Sequence, residues 1–139
     1  MPHEISEACQ GCTVCVRVCP VFAIEGVLKQ IHTINPRRCV DCGVCGRACG
    51  RRAVRDQAGR VVEPVARNLW LRPAIDLRRC TACGICADLC TRGALLISPS
   101  QHEKTFGARA VLVNEKACVG CNICEKSCPM NAITMEARQ

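Results

Sequence analysis

One cysteine pattern limits what this chain can fold into. Cys-x-x-Cys-x-x-Cys-x-x-x-Cys occurs four times: Cys9, Cys12, Cys15, Cys19; then Cys39, Cys42, Cys45, Cys49; then Cys80, Cys83, Cys86, Cys90; then Cys118, Cys121, Cys124, Cys128. All sixteen cysteines of the 139 residues fall in these units. Little else in the composition builds a core, since the aromatic residues are only Phe22, Trp70 and Phe106. Domains below about 80 residues generally need a disulfide, a metal or a partner to be stable. Met1 to Cys9 is polar and unlike a leader, and no apolar run approaches the roughly 20 residues that span a bilayer. A cytoplasmic chain without a membrane segment is expected, and a reducing cytosol disfavours structural disulfides. The thiols are therefore read as metal ligands.

A 4Fe-4S cube presents four iron corners, each taking one thiolate, and three cysteines at x-x spacing can wrap a loop around three of them. The fourth ligand must come from elsewhere. Zinc sites usually use paired Cys-x-x-Cys sets separated by a longer stretch, which is a different pattern. Four units with no cysteine left over predict four [4Fe-4S] clusters.

The segment from Cys9 to Ile24 reads CQGCTVCVRVCPVFAI and that from Cys118 to Ile133 reads CVGCNICEKSCPMNAI. Both resemble the signature of bacterial dicluster ferredoxins. The inner copies, CVDCGVCGRACGRRAV from Cys39 and CTACGICADLCTRGAL from Cys80, are similar, but Gly50 and Thr91 stand where Pro20 and Pro129 follow the last cysteine of the outer units. The resemblance covers nearly all of the chain. It implies an α+β protein of two tandem ferredoxin-like modules, 1–64 and 65–139, each with short hairpins and short helices around two clusters. It also implies crossed ligation, in which the last cysteine of each unit serves the neighbouring cluster. Cys9, Cys12, Cys15 and Cys49 would hold one cluster, and Cys39, Cys42, Cys45 and Cys19 the next. The second module would use Cys80, Cys83, Cys86 with Cys128, and Cys118, Cys121, Cys124 with Cys90. A nested pairing, with units one and four around two and three, resembles the electron-transfer subunits of some formate dehydrogenases and stays open. Gly50 and Thr91 either restore a backbone donor near a ligand sulfur, a lever on reduction potential, or make room between modules.

The gaps between units are 20, 31 and 28 in residue number, so the longest separates units two and three and suggests a boundary near Gly59 to Pro73. Each unit is expected to be followed by a short helical turn and a β-prone segment: Val21 to Ile24, Arg51 to Val54, Arg92 to Leu96 and Met130 to Ile133. Further β-prone runs are Ile31 to Ile34, Ala74 to Leu77 and Ala110 to Asn114, with turn signals at Glu25-Gly26, Ala58-Gly59 and Ser98-Pro99-Ser100. An insertion is expected around Ser98 to Phe106. Trp70, near the boundary, is read either as a hydrophobic plug between modules or as a docking point.

The formal net charge of +7 resembles a nucleic-acid signal until the clusters are counted. Each oxidised cluster with four thiolates adds about minus 2, which brings the total near minus 1. The basic excess is also local: residues 37–92 hold twelve arginines and five acids, and the rest of the chain holds seven residues of each sign. An iron-sulfur nucleic-acid-binding role is disfavoured, because stacking aromatics are almost absent. His3, His32 and His102 are isolated, and no P-loop, Gly-x-Gly-x-x-Gly or Gly-x-Ser-x-Gly motif is present, so no catalytic residue is predicted. What remains is one-electron transfer. The chain resembles the small iron-sulfur subunits of tungsten- or molybdenum-dependent aldehyde or formate oxidoreductases, which implies a larger catalytic subunit as partner and an assembly that could extend by self-association. A free polyferredoxin is the alternative.

Overall fold

The computed structural model describes residues 3–98 and 108–137. They divide into two compact units, Met1–Leu69 and Trp70–Gln139. Most of the expected insertion, 99–106, lies outside the described residues.

Each cysteine motif folds the same way. A five-residue helix sits inside every motif: α1 Val14–Val18, α2 Val44–Ala48, α3 Ile85–Leu89 and α4 Ile123–Ser127. The sequence reading put a helical turn after each motif, and the structure moves it within. The physical reason is the last spacing, because three residues between the third and fourth cysteines are about one helical turn. The helix ends where the fourth cysteine turns extended, with φ of -66°, -85°, -78° and -73° at Cys19, Cys49, Cys90 and Cys128. Helices this short are not stable in isolation. The loop before each helix is built from left-handed residues two places after the first cysteine and one place after the second: Gly11 and Thr13, Asp41 and Gly43, Ala82 and Gly84, Gly120 and Asn122. A third left-handed residue follows the fourth cysteine by three places, at Phe22, Arg52, Gly93 and Asn131.

Strands pair in one topology used twice. In the first unit β1 (Glu4–Ile5) pairs antiparallel with β4 (Val54–Arg55), and β2 (Ile24–Glu25) with β3 (Thr33–Ile34). The strand before one motif thus meets the strand after the other. In the second unit β5 (Arg72–Ile75) pairs with β8 (Ile133–Glu136), and β6 (Leu95–Ser98) with β7 (Arg109–Leu112). β1 escaped the sequence reading because its neighbours are polar, yet Ile5 packs against the buried cluster of Cys19, Ala23, Ile24, Cys45 and Val54. The second unit centres on Cys86, Leu95, Ala110 and Ile133. Trp70 is buried, and the buried Arg72 beside it donates to the carbonyls of Trp70, Leu71 and Glu115 at 3.2, 2.9 and 3.1 Å. One member of the basic middle stretch is therefore structural.

Candidate iron-sulfur centres

The first three cysteines of a motif gather with the fourth cysteine of another. One cavity is lined by Cys9, Cys12 and Cys15 of the first motif and Cys49 of the second. Another is lined by Cys39, Cys42 and Cys45 with Cys19, and a third by Cys80, Cys83 and Cys86 with Cys128. The three linings repeat one donor set, three cysteines of one motif and the last of another. For the fourth group the electrostatics give the grouping: burial pushes the Cys121 thiol up, and the charges of Cys118 and Cys90 add to it. Motifs one and two thus share one unit, and motifs three and four the other.

The helix turn explains the crossing. The first three cysteines lie on the loop and the start of its helix, whereas the fourth leaves the helix in extended backbone toward the strand that follows. Within each unit the third cysteines also feel one another, Cys15 acting on Cys45 and Cys86 on Cys124. The two sulfur sets of a unit are therefore neighbours.

The donor set suits an iron-sulfur cluster. Burial, followed by the charge of other cysteines, pushes Cys15 up to about 11 and both Cys45 and Cys124 up to about 12. Such thiols keep their protons at neutral pH until a metal replaces them. Backbone N–H groups already point at sulfur: Ala23 donates to Cys19 Sγ at 3.3 Å, Ala94 to Cys90 Sγ at 3.4 Å and Ala132 to Cys128 Sγ at 3.3 Å. The sequence leaves Gly50 and Thr91, immediately after the last cysteine, either as such donors or as room between modules. The bonds from Ala23, Ala94 and Ala132 come from four residues after it. A signal was present, because alanine occupies that place in all four motifs as Ala23, Ala53, Ala94 and Ala132, and all four are buried. A larger side chain would hold the backbone away from the sulfur.

Two histidines that read as isolated in the sequence join these sites. His3 lines the cavity of Cys19, Cys39, Cys42 and Cys45, with Nδ1 3.1 Å from Asp41 Oδ1. His32 lines the cavity of Cys9, Cys12, Cys15 and Cys49. Strand alternation could have found His32, since it lies two residues before the inward-facing Ile34. Nothing local marks His3. His102 lies outside the described residues.

Comparison with known proteins gives these centres a family. Two family models described as 4Fe-4S dicluster domains match the chain, one over residues 1–58 and one over residues 79–132. The chain is a duplicated ferredoxin, two 4Fe-4S dicluster domains in tandem, whose sixteen cysteines fit four [4Fe-4S] clusters. Among its relatives, a ferredoxin of Rickettsia felis is 37% identical over 70 residues, which cover 48% of this chain and 62% of that protein. One component of the ion-translocating oxidoreductase complex of Magnetococcus marinus is 64% identical over 28 residues, 20% of this chain and 16% of that protein. In a solved formate dehydrogenase - heterodisulfide reductase - formylmethanofuran dehydrogenase complex from Methanospirillum hungatei, one chain aligns with 98% of this chain and 50% of its own length, at 19% identity and a TM-score of 0.46. The chain spans less than two thirds of the length of each of these relatives. Among the described residues no helix is long and apolar enough to cross a membrane.

Proposed function

We infer that the chain relays single electrons through four [4Fe-4S] clusters as an iron-sulfur subunit of a larger oxidoreductase. One cluster is held by Cys9, Cys12, Cys15 and Cys49, and its neighbour by Cys39, Cys42, Cys45 and Cys19. Cys80, Cys83, Cys86 and Cys128 hold the third, and Cys118, Cys121, Cys124 and Cys90 the fourth. The observation that carries the ligand assignment is the exchanged cysteine in three cavity linings, together with the influence of Cys90 on Cys121. Each iron takes a thiolate, so no open corner is left for substrate, and the clusters supply one-electron chemistry alone. The subunit reading draws on the short, highly identical match to a component of an oxidoreductase complex. The match to a ferredoxin over about half of the chain favours the second reading, a freely diffusing carrier.

A docking face follows from the charge map. Arg51, Arg52 and Arg55 are exposed, and Arg51 also lines the cavity of Cys9, Cys12, Cys15 and Cys49. A basic rim beside a cluster suits an acidic partner surface, because complementary charge sets encounter rate and orientation.

Anaerobic protein is expected to carry about sixteen irons and sixteen acid-labile sulfides per chain. Cys19→Ser should perturb the cluster of Cys39, Cys42 and Cys45, and spectroscopic damage to that of Cys9, Cys12 and Cys15 instead would refute the crossing. Purification from the native host tests the partner: a co-purifying subunit with molybdenum or tungsten marks the aldehyde or formate type, and a chain that travels alone favours the diffusing carrier. Reversal of Arg51, Arg52 and Arg55 to glutamate should weaken that association with full iron content retained, and flatten its salt dependence.

A further inference from the structure

His32 is only 1% exposed and is among the largest fully buried side chains of the molecule. Its Nδ1 donates to the Gln30 carbonyl at 2.9 Å, because a carbonyl oxygen can only accept. Its Nε2 is buried and has no partner among the described residues, although His32 lines the cavity of Cys9, Cys12, Cys15 and Cys49. An unsatisfied buried polar atom costs about 1–3 kcal/mol, so it requires an explanation.

The second unit supplies a control at the same place. The register pair Ile24 and Ile34 follows Cys19, and the pair Leu95 and Leu112 stands in the same relation to Cys90. Two residues before Ile34 is His32, and two before Leu112 is Ala110. Ala110 lines the matching cavity of Cys80, Cys83, Cys86 and Cys128. Across the hairpins bulk is exchanged: Gly26 lies beside His32, where a Cβ would collide with the imidazole, while Ala110 pairs with Ile97. An aliphatic side chain evidently fills this space in the second unit, so packing alone does not require a nitrogen.

We propose that His32 is a positioning residue for electron transfer, whose Nε2–H donates to the cluster held by Cys9, Cys12, Cys15 and Cys49 and raises its reduction potential above that of its counterpart in the second unit. A cluster and its thiolates offer only acceptors, so a donated N–H satisfies both sides. Reduction adds a further negative charge, which the donor stabilises. His32 thereby makes two otherwise equivalent centres different.

The inference rests on the ligand assignment above, and the test separates the two. Redox titration of the full anaerobic chain, followed by electron paramagnetic resonance with iron determined on the same sample, is compared for wild type, His32→Phe and His32→Gln. Fewer than sixteen irons in wild type count against the ligand assignment. At full iron, His32→Phe is expected to make one cluster about tenfold harder to reduce, about 59 mV for one electron, with the other three unchanged. His32→Gln, which keeps an N–H, should recover part of the shift. Four unchanged potentials in His32→Phe overturn the proposal. Should His32→Phe lose iron, the decision passes to a His3→Gln, His102→Gln protein labelled with [15N]histidine, in which His32 is the one remaining histidine. A ring-nitrogen coupling to a reduced cluster supports the proposal, and its absence overturns it.

Discussion

The two units share a topology and a set of ligands but differ in how much protein surrounds them. In the first, each antiparallel pair is two residues long, while in the second each is four. The first compensates locally: Val62 donates back to the Val54 carbonyl at 2.9 Å and packs against the core, and Arg55 forms an isolated bridge with Val61. Its two sulfur-lined cavities also admit histidines, whereas the described cavity of the second unit is lined by Ala110 and Ile97 in that region. The difference teaches that the cysteine motifs fix the geometry near the metal, and that the hairpins beyond it are free to vary in length and polarity.

Iron removal is the largest test of this comparison. Isolated two-stranded pairs are marginal at best in water, so both units should lose cooperative melting once anaerobic chelation strips the clusters. Circular dichroism follows the loss. A surviving transition confined to the second unit would show that four-residue ladders are sufficient where two-residue ones are not.

A paired substitution sharpens the comparison at one position of the ligand loop. Gly11 has φ of 70°, and a Cβ there would collide with the backbone of Lys29 and Gln30. Gly11→Ala should destabilise the loaded first unit by about 3 kcal/mol, because the contact is with backbone and cannot relax cheaply. The equivalent residue of the second unit is already alanine, Ala82 at φ 57°. Ala82→Gly should therefore stabilise that unit by about 1 kcal/mol or less, the relief of left-handed strain less the added freedom of the unfolded chain. Thermal melts of the iron-loaded proteins measure both.

The smallest effect is expected at the Arg52–Glu63 ion pair, whose side chains are 58% and 63% exposed. Glu63→Gln should change the stability of the loaded protein by about 0.5 kcal/mol or less. A larger loss in the same melts would mean that the segment around Glu63 clamps the short first-unit sheet.

Much of this molecule was legible in its cysteines. Their spacing carries the family resemblance and the number of clusters, whereas the helical turn expected after each motif lies within it. Even the grouping of Cys19 with Cys39, Cys42 and Cys45 was implied by the family resemblance. The alanine four places after each last cysteine was also visible, although its purpose as a close-approach donor was not. β1 was hidden because a two-residue strand with one inward side chain leaves almost no periodic signal. The basic stretch misled in one particular, since sequence cannot separate the buried Arg72, which closes three carbonyls, from the exposed Arg51, Arg52 and Arg55.

By itself the sequence determined the chemistry, because a metal cluster imposes its demands on residues three or four apart, where local geometry is nearly fixed by the chain. Only the tertiary structure decided which motifs share a unit and which histidines enter the sulfur-lined cavities. Those groupings join residues tens of positions apart, as when Cys9 and Cys49 line one cavity or His3 meets Asp41, and they depend on strand register and on space left by residues such as Gly26.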